Sequence, residues 1–472
     1  MSKTLPVIGA LILLLLLSPL AAHAGDVTPP SPVKPAGTVT LVVGGPGQQT
    51  DPHVSNNGIS YSFVDVGEIH YVDLGSGTNT AIPHGAGVWD ALSDTSGNTV
   101  VFNRNAVGDK RIMFTSIVNG APGSVQELAP LPDSVIPLRQ RASIGGSTVA
   151  FEEIYPGTNS LPEISLANLA NPSAPAIRLT NDGYADRYPA VSPDGNVVAW
   201  VKSLETGSDI WQATRNPDGT WTPKQLTGLN GPDGNESFPD TDGQIVVYGS
   251  DRGGLNDIYW QPVGGGTETH IVMSGLQQNP SVSRGVIAFE GDPNSTGYND
   301  IYAYDTHTNT LYQITDTATL LERLNDISVG ADGTVRIVWA APNAAGDLDI
   351  YAFSFQIGNT YKIQPLFDQA HSYKLGGVLP LKLQLLNADG TNVSSSALVL
   401  NATGLVQKDS SAAPLGVDSP GSANPDNNFR YDATLQGYIF NLSTKNLAAG
   451  TWQMQFKVSG DANTYIVQFD LR

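Results

Sequence analysis

The sequence predicts an all-β protein: a seven-bladed β-propeller, with six or eight blades as the alternative counts, followed by an Ig-like β-sandwich. Fifty Gly and 32 Pro in a 472-residue chain that is only 14% charged point to many short strands and turns. No segment after residue 25 sustains a helical period. A pattern of about 45 residues recurs until about residue 357 and then stops.

The first 24 residues carry one Lys, an apolar run from Leu11 to Leu17 and the small-residue ending Ala22-His23-Ala24, the layout of a cleaved secretory signal. The run is short for a bilayer span, so the mature chain is expected to start near Gly25 with no transmembrane segment, exported to the periplasm or outside the cell. Residues 25–37, GDVTPPSPVKPAG, are Pro-rich without apolar alternation and read as an extended tether. Residues 38–43, TVTLVV, are a short β-branched run, expected to complete the last blade and close the ring.

Residues 38–357 hold the repeat, clearest in LTNDGYADRYPAVSPDGNVVAWVKSLETGSDIW from Leu179 to Trp211. Asp194-Gly195 between apolar runs is a hairpin signal, because both residue types tolerate positive φ. One marker is an acid followed by Ile: Glu68-Ile69, Glu163-Ile164, Asp209-Ile210, Asp257-Ile258, Asp300-Ile301 and Asp349-Ile350, with Arg111-Ile112 in the remaining slot. The spacings of 43, 52, 46, 48, 43 and 49 residues suit four-stranded blades. A second marker lies ahead of each: Asp51-Pro52, Trp89-Asp90, Arg141-Ala142, Tyr188-Pro189, Phe238-Pro239, Asn279-Pro280 and Asn325-Asp326, each read as preceding a short strand. The Ile is expected between blades and the acids in structural hydrogen bonds.

This repeat resembles the TolB-type propeller repeat in Leu179-Thr180, Pro189, Ser192-Pro193-Asp194-Gly195 and Asp209-Ile210-Trp211, over residues 40 to 355. The protein that names the family has six blades, so the seven repeats here weaken any transfer of its partnership with a peptidoglycan-associated lipoprotein. Residues 361–472 change rhythm, with alternating strands around Pro380-Leu381-Lys382-Leu383, Phe429-Arg430-Tyr431-Asp432 and Gly437 to Leu442. They resemble a bacterial Ig-like module with a Pro-x-Lys-Phe signature, Leu383 standing for the Phe on an inward face.

Composition excludes several functions. With no Cys, disulfides, thiol catalysis and Cys-ligated metals are absent. Without Lys3 the balance is 23 basic against 44 acidic residues, which disfavours nucleic acid as a partner.

The loops ahead of the inner strands of a propeller converge on one end of its channel. On that rule the candidate ligand-binding mouth comprises Asp51, Asp90, Arg139, Arg141, Asp186, Arg187, Glu236, Gln278, Glu322 and Arg323. Mixed signs there suit a protein loop, a zwitterionic peptide or a sugar acid. No Gly-x-Ser-x-Gly elbow and no α/β half-chain is present, so peptidases carrying a similar propeller ahead of a hydrolase domain match poorly. Some polysaccharide lyases use a related propeller with His ligands to a metal; His53, His84 and His270 could approach the channel, but no His pair has ligand spacing. Asp240 to Asp242 and Asn387 to Asp389 read as Asx and Asp-Gly turns, not calcium loops. No catalytic residue, cofactor or metal is expected.

These readings lead to an exported, non-catalytic binding or scaffold protein with a protein or carbohydrate partner. The alternatives are a polysaccharide lyase or hydrolase acting at the propeller mouth, and a structural subunit of an extracellular layer or filament.

Overall fold

A computed structural model of the chain describes residues 25–472 apart from 56–57, 107–108, 130–136, 158–159, 229–233, 331–332, 358–360, 370, 387–389, 391, 397, 409–413, 418–422, 460 and 462. The expected signal and the Asn387 to Asp389 turn lie outside the described residues. Among those described, no helix is long and apolar enough to cross a membrane.

Residues 49–81, 89–127, 138–178, 185–225, 236–271, 276–313 and 323–356 each form one sheet, here blades one to seven, whose strands pair in chain order from inside to outside. The inner strands are Gln49–Ser55, Trp89–Ser96, Leu138–Gly145, Ala185–Val191, Glu236–Thr241, Leu276–Ser283 and Arg323–Val329. The acid-Ile markers all fall on third strands, and all seven Ile side chains are without solvent exposure. That follows from period-two alternation, which turns each Ile toward the neighbouring blade.

An apolar cluster fills each junction between neighbouring blades. One joins Val54, Ile59, Tyr61 and Val72 of blade one to Val338, Ala340 and Ile350 of blade seven, so the ring is closed. Fully buried Trp200 and Trp339 sit in two such junctions. Burying each large apolar side chain contributes roughly 1.5–3 kcal/mol.

Thr40–Val43 pairs antiparallel with Leu348–Gln356 and supplies the fourth strand of blade seven. The Pro-rich segment before it is not a free tether. Asp26–Val27 adds in parallel to the outer strand Thr269–Ile271 of blade five, and Val33 bridges Tyr312 of blade six. Its Pro residues rule out a continuous ladder, which leaves isolated points of attachment.

Residues 362–471 form two four-stranded sheets packed face to face. Leu379, Leu381, Leu383 and Leu385 alternate inward on one sheet and meet Trp452, Met454, Phe456 and Val458 of the other. Leu383 is wholly buried, on the inward face expected for it.

Candidate functional site

Every inner strand leaves register with its partner once. The skips fall between Thr50 and His53, Ala91 and Asp94, Gln140 and Ser143, Arg187 and Ala190, Ser237 and Asp240, Gln278 and Ser281, and Arg323 and Asp326. Within each skip one non-Gly residue holds a positive φ of 46° to 56°: Asp51, Leu92, Arg141, Tyr188, Phe238, Asn279 and Leu324. Such a backbone costs on the order of 1–3 kcal/mol per residue. Pro52, Pro189, Pro239 and Pro280 follow four of them, and their missing N–H suits a bulge where the ladder is already broken. In blades two and seven the equivalent pairs are Leu92-Ser93 and Leu324-Asn325, displacing the sequence markers by three residues and one.

The bulge sets which side chains face the axis. All seven inner strands line one cavity of about 940 Å³, and the second residue after each bulged position points into it: His53, Asp94, Ser143, Ala190, Asp240, Ser281 and Asp326. Four of these also tie one blade to the next by accepting a backbone N–H. The backbone N–H groups of Ile144, Val191, Val282 and Val54 donate to Asp94 Oδ2 (2.8 Å), Ser143 Oγ (3.1 Å), Asp240 Oδ2 (2.7 Å) and Asp326 Oδ2 (2.7 Å).

On adjoining blades Asp326, His53 and Asp94 form an ionic row. His53 Nδ1 lies 3.6 Å from Asp94 Oδ1 and 3.7 Å from Asp326 Oδ2, while Nε2 lies 3.7 Å from Asp51 Oδ1. Burial alone pulls the His53 pKa down, but the Asp51, Asp94 and Asp326 carboxylates outweigh it and raise it to about 10. His53 is therefore a fixed imidazolium at neutral pH and is unsuited to general-base work.

Among the described residues no cation forms an ion pair with Asp240. Burial, opposed by the Val282 N–H and reinforced by the charges of Asp326 and Asp94, pushes it up to about 7. Burial likewise lifts Asp326, against the attraction of His53, to about 6. A carboxyl poised near neutrality in a cavity can both give and take a proton. The bulged residues also line the cavity, a mixed set in which Leu92, Phe238 and Leu324 are exposed, Tyr188 and Phe238 lie 5.2 Å apart, and the Arg141 guanidinium stacks 4.7 Å over Tyr188.

Of the ten residues expected at the mouth, only Asp51 and Arg141 line this cavity. Asp90, Arg139, Asp186, Glu236 and Glu322 sit two residues before their bulges, on the strand face turned between sheets, and are buried. There Asp90 meets Arg104 (2.7 Å), Arg139 meets Glu153 (2.9 Å), Asp186 meets Lys202 (3.2 Å), Glu236 meets Arg252 (3.0 Å), and Glu322 accepts from Thr315. Gln278 donates to Glu290 at 2.9 Å, and neither it, Arg187 nor Arg323 reaches the cavity. The sequence reading passed over Asp94, Asp240 and Asp326 as site residues. For Asp240 the usable signal was the position directly after the Phe238-Pro239 pair; Asp94 and Asp326 follow Leu92-Ser93 and Leu324-Asn325, which carry no Pro to mark the bulge.

His84 bonds Glu68 on blade one, and His270 lies between Asp26 and Asp257 while stacking on Tyr259; neither lines the cavity. His307 lines it at the turn end of the inner strands and faces Asp305 at 3.4 Å. Asp242 accepts from the N–H groups of Gln244 and Ile245, an ordinary Asx turn.

No family model matches the chain, and no curated protein does. Solved structures do. An oligogalacturonate lyase in complex with manganese is 12% identical with a TM-score of 0.50, covering 70% of this chain and 96% of that one. A puromycin hydrolase is 15% identical (TM-score 0.48), covering 76% of this chain and 61% of the hydrolase. TolB from Acinetobacter baumannii is 15% identical (TM-score 0.37), covering 64% and 78%. The chain thus spans about three fifths of the puromycin hydrolase it matches. The likeness to the lyase, with the seven sheets in a closed ring, shows a propeller-type fold.

The lyase overturns the expectation of a non-catalytic scaffold. That expectation rested on the lack of a nucleophile elbow and an α/β half-chain, yet nearly the whole of a solved enzyme falls within this fold. Among the described residues two imidazoles line the cavity, His53 facing Asp51, Asp94 and Asp326, and His307 facing Asp305.

Proposed function

We propose that the chain is a glycan-cleaving enzyme, a lyase or hydrolase, working inside the propeller channel. The supporting observation is Asp240, a carboxyl raised to about 7 in the same ring as the Asp326, His53 and Asp94 row. Cleaving a glycosidic bond by hydrolysis needs one carboxyl to protonate the leaving oxygen and a second to assist attack. Elimination needs a base for a carbon-bound proton and a cation for the charge that develops. In this reading Asp240 handles the proton, Asp94 or Asp326 is the second carboxylate, and the His53 imidazolium is the fixed cation. The exposed Phe238 side chain suits the flat, apolar face of a sugar ring.

The reading includes export after cleavage near Gly25, which N-terminal sequencing of the mature protein tests. It also takes the C-terminal sandwich as the Ig-like module its Pro380-Leu381-Lys382-Leu383 motif resembles. The principal experiment is a screen on neutral, acidic and amino-sugar polysaccharides, following new reducing ends and unsaturated products. Turnover should fall roughly 100-fold or more in Asp240→Asn. Absence of turnover on every polysaccharide, or full activity in Asp240→Asn, would sink the reading.

A further inference from the structure

The acid-Ile repeat supplies its own comparison set. In five blades the marker acid has evident partners: Glu68 has His70 and His84, Asp209 has Gln225, Asp257 has Gln277, Asp300 has the Thr317 N–H, and Asp349 has the Gly45 N–H and Asn343. Glu163 of blade three departs from this. It is only 2% exposed, and its Oε2 has no hydrogen-bond partner. Its other oxygen accepts the Asp182 N–H at 3.1 Å and lies 3.5 Å from Arg178 Nη2.

Oxygens of Glu163, Asp182 and Asp186 lie within 4.8 Å of one another. Asp186 is completely buried, whereas the Asp182 side chain is 46% exposed and opens the cluster to solvent. The Thr180 hydroxyl accepts the Ile164 N–H at 2.9 Å and has a single proton, yet both Glu163 and Asp186 stand within its reach. Asp186 also accepts from Trp200 Nε1 and Lys202 Nζ, so the oxygen left without a donor is Glu163 Oε2. Lys202 Nζ is the resident cation, 2.5 Å from Asp182 Oδ2 and 3.2 Å from Asp186 Oδ1. It also faces the rings of Trp211 and Tyr184, at 4.9 and 5.9 Å. Three carboxylates against Lys202 and a partly exposed Arg178 leave one formal negative charge over, and burial raises the pKa of both Glu163 and Asp186.

We propose that Glu163, Asp182 and Asp186 form a binding site for a hard divalent cation of the calcium class at the junction of blades three and four. All the donors are oxygens, and calcium accepts irregular sets of carboxylates, hydroxyls and water. The ion enters by exchange with the Lys202 ammonium. Bound there it connects the third strand of blade three to the inner strand of blade four.

The test uses the full chain freed of metal with a chelator and titrated with calcium, and with terbium as a luminescent stand-in. Trp200 donates its indole N–H to Asp186 at 2.9 Å, close enough to sensitise terbium emission. The expected result is saturable one-to-one binding, with a calcium Kd of roughly 10⁻⁴–10⁻³ M or tighter. Glu163→Gln and Asp182→Asn, the latter at an exposed side chain, should each weaken it about tenfold or more, while Asp240→Asn in the channel should not. Lys202→Met should bind more tightly, having lost the competing ammonium. No saturable signal up to about 10 mM calcium overturns the site, as does binding unchanged in Asp182→Asn, or binding no tighter in Lys202→Met.

Discussion

His53 and Asp240 occupy equivalent positions on different blades, and their neighbours give them opposite duties. Three carboxylates hold His53 charged to about 10, while Asp240 has no ion-pair cation among the described residues and keeps its proton to about 7. An unfolded Asp releases its proton near about 3.9. The fold therefore binds the Asp240 proton more tightly than the unfolded chain does. That stabilisation is whole below about pH 4 and is lost as pH rises through about 7; Asp326 behaves likewise through about 6. Asp240→Asn keeps an acceptor for the Val282 N–H without the charge. Above neutrality it should be more stable than the parent by on the order of 1–2 kcal/mol once solvent screening is allowed for, and the gap should close toward about pH 4. Denaturant midpoints at about pH 5 and about pH 8 check this. An equal gap at both would mean that Asp240 ionises like a surface acid.

At the scale of strands, the third strands were legible because their signal is local: an acid, a buried Ile and period-two alternation recur whatever the loops do. The channel residues were not. Their identity depends on a bulge, and one extra residue reverses which side chains face the axis. Asp90, Arg139, Asp186, Glu236 and Glu322 looked like mouth residues because charge ahead of a strand usually means solvent. The bulge instead turns them between sheets, where cross-strand partners neutralise three of the four charged acids with Arg or Lys. The bulge should carry a measurable strain. Leu92 has φ 53° and an exposed side chain, so Leu92→Gly relieves a strained backbone while removing little packing. It should leave stability unchanged or raise it by up to about 1 kcal/mol, against the usual loss of about 0.5–1 kcal/mol for Gly within a strand. A thermal melt showing the ordinary loss would remove the argument that these positions are strained.

For the whole molecule, closure depends on a strand more than 300 residues away in sequence from its partner. Val42 and Val43 pack into the cluster joining blades seven and one, and Thr40, Leu41 and Val43 pair with Ala352, Tyr351 and Ile350. The Thr38 to Val43 run was readable as a closing strand because a ring with three strands in its last blade needs a fourth. The path of residues 25–37 was not readable, since a Pro-rich segment with isolated contacts has no periodicity to detect. The two parts should separate on truncation. Removing residues 25–36 loses the two-residue pairing with His270 and Ile271, the Val33 bridge and the Lys34–Asp316 pair, whose side chains are 65% and 63% exposed and so contribute little. The ring should stay closed and monodisperse with a modestly lower melting temperature. Removing residues 25–43 also takes the closing strand, exposes the edge of Leu348–Gln356 and uncovers Ile350. The loss should be roughly 2–4 kcal/mol from two partly buried Val side chains and their ladder, together with a bare edge that recruits other chains. Calorimetry with light scattering distinguishes the two deletions. If both behave alike, closure does not reside in Thr40–Val43, and the contacts between the inner strands of blades one and seven hold the ring unaided.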